Sequence, residues 1–425
     1  MEVGDRRGVP ARERLTVAGA ASSPVAGAVP GGAARAPPVR RLPVSAQPAG
    51  DPAGRPSGPR TLGPVTSDTS HRPAPGGSGS PATGPAVPVA PLQDGFGRVV
   101  RDLRVSVTDV CNLRCTYCLP ESGVAWLPKD ERLDDDETVR LVEVLAGLGV
   151  RTVRVTGGEP LARAHLPALI ERIDAVEGIE EISMTTNGVL LARHADALVA
   201  AGVSRFNVSI DSVHRERFAD VTRRDVLPAV LEGLAALDRH RVVRPDGSRG
   251  GVEVKLNAVA LKGVTEREAV DLVGFARERG LQLRFIEVMP LDADGAWTED
   301  HVLTGEEVRA LIHARWPVDA LERAPSSTAR VFRFRDGSGE VGFVSSVTES
   351  FCADCDRLRL TADGQLRTCL FSHDETDLRG ALRAGASDDE LVMMIRRAVA
   401  GKQWGHEMHK PGFRPPARPM SAIGG

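Results

Sequence analysis

Six strand-like runs alternate with amphipathic helical stretches between residues 102 and 288, and most of the strands are polar at every second position. The runs are 102–107, 152–156, 181–187, 205–211, 252–259 and 281–288, separated by stretches such as 136–148 and 265–279. Repeated strand–helix order predicts a parallel sheet. In the first run Leu103, Val105 and Val107 share one face, while Asp102, Arg104, Ser106 and Thr108 share the other. Thr152, Arg154 and Thr156 likewise oppose Val153 and Val155. Arg205, Asn207, Ser209 and Asp211 oppose Phe206, Val208 and Ile210, and Glu253, Lys255 and Asn257 oppose Val254 and Leu256. Parallel strands covered by helices on both faces read as continuous apolar runs, and these do not. The pattern predicts an α/β fold, an incomplete (βα)6 TIM-like barrel with helices outside and a polar inner face. The competing reading is an ordinary sheet with one solvated face. The sixth run is ambiguous, since Gln282 and Arg284 oppose Leu283, Phe285, Glu287 and Met289.

The flanking regions differ in character. Residues 1–95 are rich in Pro, Gly, Ala, Ser and Arg and lack apolar periodicity, so they are expected to form a disordered extension. Arg6-Arg7 and residues 17–29 imitate an export signal weakly, but Ser22-Ser23-Pro24 interrupts it and no Leu-rich core follows. An over-extended start is the other reading, the next methionine after Met1 being Met184. Residues 96–290 form the barrel region and 291–425 a C-terminal region with a helix over 305–316 and a hairpin of 330–335 with 341–345 turning at Asp336-Gly337. Residues 242–251 read as a polar surface insertion. A formal net charge of -3 gives no global pull toward nucleic acid or an anionic membrane, and no run of about 18 apolar residues appears.

All six cysteines fall in two groups of three, which is the arithmetic of metal sites and implies a reducing, cytoplasmic location. Cys111, Cys115 and Cys118 follow the first strand with C-x3-C-x2-C spacing. Three thiolates on a cluster that normally takes four ligands leave one iron open. A zinc site or a disulfide with a spare thiol are the alternatives, and the absence of a nearby His favours iron and sulfide. Cys352 and Cys355 lead into a strand and a turn at Ala362-Asp363-Gly364, with Cys369 on the return. A hairpin centred on Asp363 sets Cys369 opposite Arg357 and on one face with Cys355 and Arg359. Guanidinium groups beside three thiolates make an anion site next to a metal centre. Gly157-Gly158-Glu159-Pro160 follows the second strand, where glycines allow close approach of a ligand and Glu159 is suited to an ammonium group. Thr185-Thr186-Asn187-Gly188 and Ser209-Ile210-Asp211 sit at strand C-termini, where barrel sites assemble. His406 and His409 read as surface residues.

The first cysteine motif on a β1 loop, followed by Gly157-Gly158-Glu159-Pro160, resembles the radical S-adenosylmethionine enzymes. The C-x2-C-x13-C spacing of Cys352, Cys355 and Cys369, the run Arg357-Leu358-Arg359 and the terminal Gly424-Gly425 resemble the GTP 3',8-cyclase family, also called molybdenum cofactor biosynthesis protein A (MoaA). The resemblance covers roughly residues 95–425; the N-terminal extension and the 242–251 insertion depart from it. It implies a 4Fe-4S cluster on Cys111, Cys115 and Cys118 whose open iron chelates S-adenosylmethionine, with Tyr117, Gly158, Glu159, Ser209 and Met289 around that cofactor. It implies a second 4Fe-4S cluster on Cys352, Cys355 and Cys369 in a C-terminal cluster-binding extension, its open iron meeting the guanine of GTP. Arg104, Arg154, Thr185, Lys255, Arg357, Leu358 and Arg359 match the GTP-contacting positions, and Arg357, Arg359, Gly424 and Gly425 form the implied catalytic set. Several of these coincide with the inward polar face that parity alone selects. The implied partners are GTP, an electron donor such as flavodoxin or ferredoxin, and the next-step cyclic pyranopterin monophosphate synthase, with no nucleic acid or membrane and a monomeric or homodimeric state. A peptide-modifying radical enzyme would carry more cysteines in its C-terminal region, and a binding protein with two structural metal sites is the rival from another class.

Overall fold

The computed structural model describes residues 90–243, 249–408, 410 and 412–425. Residues 1–89 of the expected extension, 244–248 of the expected insertion, and His409 lie outside the described residues. The first eight strands are β1 (Asp102–Ser106), β2 (Thr152–Thr156), β3 (Glu181–Thr186), β4 (Val203–Ser209), β5 (Arg241–Val243), β6 (Arg249–Gly251), β7 (Glu253–Ala260) and β8 (Gln282–Glu287). Among the described residues β5 and β6 pair only with each other. The other six lie side by side in chain order, every neighbouring pair parallel, as the alternation requires.

Helices α1 (Asp135–Gly147), α2 (Leu166–Asp174), α3 (Leu191–Ala200), α4 (Arg215–Thr222), α5 (Leu227–Asp238) and α6 (Thr265–Glu278) supply the crossovers. α1 starts on a capping box in which Asp134 and Glu137 each accept from the other's backbone N–H. The apolar strand positions Leu103, Val153, Phe206, Leu256 and Leu283 are buried in one core with Leu141, Ile170, Leu198, Leu234 and Leu272 of the helices. Each such side chain contributes about 1.5–3 kcal/mol by leaving water. That layer forces the alternate, polar positions to the opposite face.

The sixth strand resolves in the same sense. Leu283 and Phe285 join the core while Arg284 and Ile286 line the internal cavity. Glu287 holds an apolar-parity position because its carboxylate caps the next helix, α7 (Gly305–Arg315), accepting from Gly305 N at 2.9 Å, and also accepts from Val347 N and Thr348 N, each at 2.9 Å.

The C-terminal region extends the sheet at both edges. β9 (Val318–Ala320), β10 (Arg330–Phe334) and β11 (Glu340–Val344) follow α7, and β11 joins β8 in parallel. β12 (Arg357–Leu360), β13 (Gln365–Arg367) and β14 (Thr376–Asp377) come next, and β12 joins β1 in parallel. The result is a mixed twelve-stranded sheet with partial β/α-barrel character. Both expected hairpins form, β10 with β11 and β12 with β13, and each extends the barrel sheet, a long-range pairing that no local pattern encodes. Helices α8 (Leu378–Arg383), α9 (Asp388–Ala400) and α10 (Met420–Ile423) complete the chain.

Candidate functional site

The loop after β1 is fixed by two neighbours. Gly158 N and Glu159 N, in the turn after β2, donate to Thr108 O and Val110 O, both at 2.8 Å. Arg114 N and Thr116 N donate to Thr222 O and Val221 O at the end of α4, at 3.1 and 2.9 Å. A Cβ on Gly158 would lie 2.6 Å from Val110 O and closer still to Asp109 O, so what this glycine admits is the backbone of the cysteine loop. Cys111, Cys115 and Cys118 then line one cavity of about 350 Å³ together with Tyr117, Gly158, Thr185, Ser209 and Met289.

Burial pushes all three thiols up, Cys118 to about 12, with Cys111 adding to the rise at Cys115 and Cys118. Three sulfurs lining one cavity are a donor set that fits an iron–sulfur cluster, which takes them as thiolates. Tyr117 is held rigidly, its hydroxyl donating to Asp211 at 2.8 Å while Asp211 accepts from Val259 N at 2.8 Å. Glu159 departs from the expectation of an ammonium ligand. Its carboxylate is 1% exposed and accepts from Leu161 N (3.1 Å), Thr186 Oγ1 (2.7 Å) and Asn187 N (2.7 Å), so it braces the turns after β2 and β3.

The second triplet flanks β12, the parallel neighbour of β1, and lines the same cavity. Cys352, Cys355 and Cys369 line it beside Arg357 and Arg359. Hairpin register sets Arg359 opposite Arg367, consistent with the expected placing of Cys369 near Arg357. Burial pushes the Cys355 thiol up, but the charges of Arg357 and Lys402 outweigh it and hold the group at about 7. Burial raises the Cys369 thiol. Leu358, in the Arg357–Arg359 run, is fully buried in the apolar core, so only its neighbours face the cavity. His406 is also corrected: it lines the cavity and its ring stands 5.3 Å from that of Phe371. Among the described residues no three His, Cys, Asp or Glu side chains are gathered as ligands of a single metal ion.

Between the two triplets runs a row of guanidinium groups. Register sets Arg359 beside Arg104 and Arg104 beside Arg154 on adjacent strands. Burial holds the Arg104 guanidinium well below the ordinary arginine value, and the charges of Arg359 and Arg154 lower it further. Among the described residues, Arg104 Nε, Arg357 Nη2 and Thr156 Oγ1 are buried without a hydrogen-bond partner. Such orphaned donors among like charges suit a polyanion. An adjoining cavity of about 590 Å³ is lined by Arg104, Arg154, Arg205, Lys255, Arg284 and Arg357, with Asp102 and Glu181 among the fewer carboxylates. Lys255 pairs with Glu253 at 2.9 Å there, apart from the cysteine-lined cavity.

The C-terminus closes this space. Ser421 of α10 lines the cavity with Cys118, and Arg359 donates to Gly424 O. Gly425 lines the cavity. Sequence reasoning missed Arg284, which donates to Asn207 and to Asn257 Oδ1 (3.0 Å), and Lys402. Strand parity held the signal for Arg284; no periodic signal marks Lys402.

Residues 105–276 match the family model described as the Radical SAM superfamily, and residues 281–408 the model described as Molybdenum Cofactor Synthesis C. A Streptomyces coelicolor protein named GTP 3',8-cyclase is 47% identical over 79% of this chain and 96% of its own length. GTP 3',8-cyclase 2 of Mycobacterium tuberculosis strain H37Rv is 48% identical over 79% of this chain and 92% of its own length. Among solved structures, Streptococcus suis SuiB bound to S-adenosylmethionine aligns with TM-score 0.45 and 12% identity over 69% of this chain and 66% of that one.

Proposed function

The chain belongs to the GTP 3',8-cyclase family of radical S-adenosylmethionine enzymes, and from that premise we propose how its cavity converts GTP to (8S)-3',8-cyclo-7,8-dihydroguanosine 5'-triphosphate, the first step of molybdenum cofactor biosynthesis. The observation that carries the reading is one cavity lined by both cysteine triplets, with the Arg359–Arg104–Arg154 row between them. In this reading the strands form an incomplete (βα)6 TIM-like barrel over residues 96–290, and 291–425 is a cluster-binding extension.

Cys111, Cys115 and Cys118 hold one 4Fe-4S cluster and Cys352, Cys355 and Cys369 a second. When bound, the first cluster and S-adenosylmethionine supply the 5'-deoxyadenosyl radical that abstracts the 3' hydrogen of GTP. The chain's own residues do the positioning. Tyr117, pinned by Asp211, with Gly158, Ser209 and Met289, orients the S-adenosylmethionine; Glu159 serves the site by bracing it. Arg104, Arg154, Arg357 and Lys255 clamp the triphosphate, whose charge compensates a cation-rich inner wall. Arg359 and Thr185 lie nearer the base and ribose, and Gly424-Gly425 excludes water beside them. An electron donor of the flavodoxin or ferredoxin class reduces the protein, and a cyclic pyranopterin monophosphate synthase consumes the product. Among the described residues no helix is long and apolar enough to cross a membrane; we place the enzyme in the cytoplasm, as a monomer or homodimer.

The test is mass spectrometry of an anaerobic reaction of the iron- and sulfide-reconstituted protein with GTP, S-adenosylmethionine and dithionite. A cyclised dihydro nucleotide together with 5'-deoxyadenosine is expected. Cleavage of S-adenosylmethionine without any GTP-derived product would overturn the substrate assignment.

A further inference from the structure

One buried cation has no part in the scheme above. Lys402 follows α9 and is 3% exposed. Its ammonium donates to the carbonyl oxygens of Cys355 (3.2 Å) and Arg357 (2.8 Å) and reaches Cys355 Sγ at 3.6 Å. Three acceptors match the three N–H bonds of an ammonium, one more than a neutral amine carries. Among the described residues no carboxylate forms an ion pair with it. A buried charge without an opposite partner is costly, and the opposite charge in contact here is the Cys355 sulfur.

We propose that Lys402 shifts the reduction potential of the iron–sulfur cluster held by Cys352, Cys355 and Cys369, its ammonium charge and its N–H contact to sulfur favouring the reduced form. The inference rests on the assignment of that cluster under the proposed function. Reduction adds one negative charge to the cluster, and a cation at hydrogen-bond distance from a ligand sulfur stabilises the product of that step. The two triplets differ in this respect. Glu159, Asp211 and Asp292, together with Arg114, are the charged neighbours of the first, whereas Arg357 and Lys402 flank Cys355 in the second. Lys402 therefore helps make the second cluster the easier of the two to reduce.

A purely mechanical brace would also explain a lysine tied to two carbonyl oxygens. That task is already filled. Arg98 donates to Cys352 O (2.6 Å), Gln403 O (2.8 Å) and Trp404 O (2.6 Å) while its Nε pairs with Asp94 at 2.6 Å. Gly405 packs so closely that a Cβ there would lie 2.9 Å from Cys352 Cβ. The segment stays against the cysteine loop without the Lys402 charge.

The experiment is an anaerobic redox titration of the full-length reconstituted protein, followed by electron paramagnetic resonance, with iron analysis on each sample. Lys402→Gln keeps hydrogen-bonding capacity and removes the charge. It is expected to retain both clusters and move the second cluster's midpoint to a more negative potential, the first cluster staying put. Lys402→Arg, which keeps the charge, is expected to stay near the parental midpoint. An unshifted midpoint in Lys402→Gln overturns the proposal, as does an equal shift in Lys402→Arg. Loss of the second cluster's iron in both variants also overturns it, in favour of a brace. A parent protein that binds iron for one cluster alone would instead sink the two-cluster assignment, a result separate from any of these.

Discussion

The guanidinium of Arg359 donates to the carbonyl oxygen of Gly424, which seats the C-terminal dipeptide beside the strand that carries Arg104. Gly424 has φ +92, and a Cβ there would lie 2.6 Å from Thr156 Oγ1 and 2.8 Å from Ser106 Cβ. Alanine must therefore strain its backbone and displace the inner ends of β1 and β2. Overpacking of this kind costs about 1–3 kcal/mol, enough to eject a short tail. Gly424→Ala is expected to lower the cyclisation rate at least about tenfold while iron content stays parental. Unchanged turnover would place the tail outside the reaction.

Gly158 offers a contrasting case, because its neighbours are the backbone oxygens of Asp109 and Val110. Backbone cannot step aside as a side-chain tip can. Gly158→Ala is expected to distort the loop that carries Cys111 and to lower iron content toward that of the second cluster alone. Gly147→Ala is the matched control. Among the described residues nothing lies within 4 Å of a Cβ there, and the change should leave iron unaltered.

The inner cations are legible in the sequence because period-two alternation needs only local residues. Arg104, Arg154 and Lys255 all follow from the parity of their own strands. The pairing of β12 with β1 joins residues some 255 positions apart, as in Asp102 with Arg357, and no local pattern encodes it. Only that pairing brings Arg359 beside Arg104. Leu358 shows the opposite error, since strand parity already assigned it to the core while the motif carried it into the site. The role of Glu159 is not legible in sequence for a different reason. A carboxylate in a barrel turn looks the same in sequence whether it meets a ligand or three protein donors.

Acid should loosen the C-terminal segment at Arg418, which pairs with Asp363 at 2.8 Å and with Glu375 at 2.9 Å. Burial pushes the Asp363 carboxyl up, but hydrogen bonds from Arg418, at 2.8 and 3.0 Å, and from Thr361 outweigh it and hold the group below the usual range. A folded-state value below the unfolded one means this stabilisation is present above about pH 4, the unfolded aspartate value, and is lost as pH falls through the depressed value. Asp363→Asn should melt at a lower temperature than the parent at pH 7. That gap should close as the buffer is taken below about pH 4. A gap that persists unchanged in acid would show that the pair is not what anchors Arg418.

The arginine row should trade stability for binding. Arg104 sits beside Arg359 and Arg154 with its Nε unpartnered, and its burial already disfavours its charge. In the absence of a polyanion, replacing it with methionine removes an uncompensated buried charge of similar length, a change that is often neutral or stabilising. With GTP present the balance reverses, because a hydrogen bond from a charged donor to phosphate is worth about 1.5–3 kcal/mol. Arg104→Met should therefore melt at or above the parental temperature without nucleotide and bind GTP about ten- to hundredfold more weakly. The stabilisation that saturating GTP confers on the parent should shrink accordingly, whereas S-adenosylmethionine should stabilise both proteins alike. Equal GTP-induced melting shifts in the two proteins would remove Arg104 from the nucleotide site. A lowered melting temperature without nucleotide would mean that its charge is compensated within the protein.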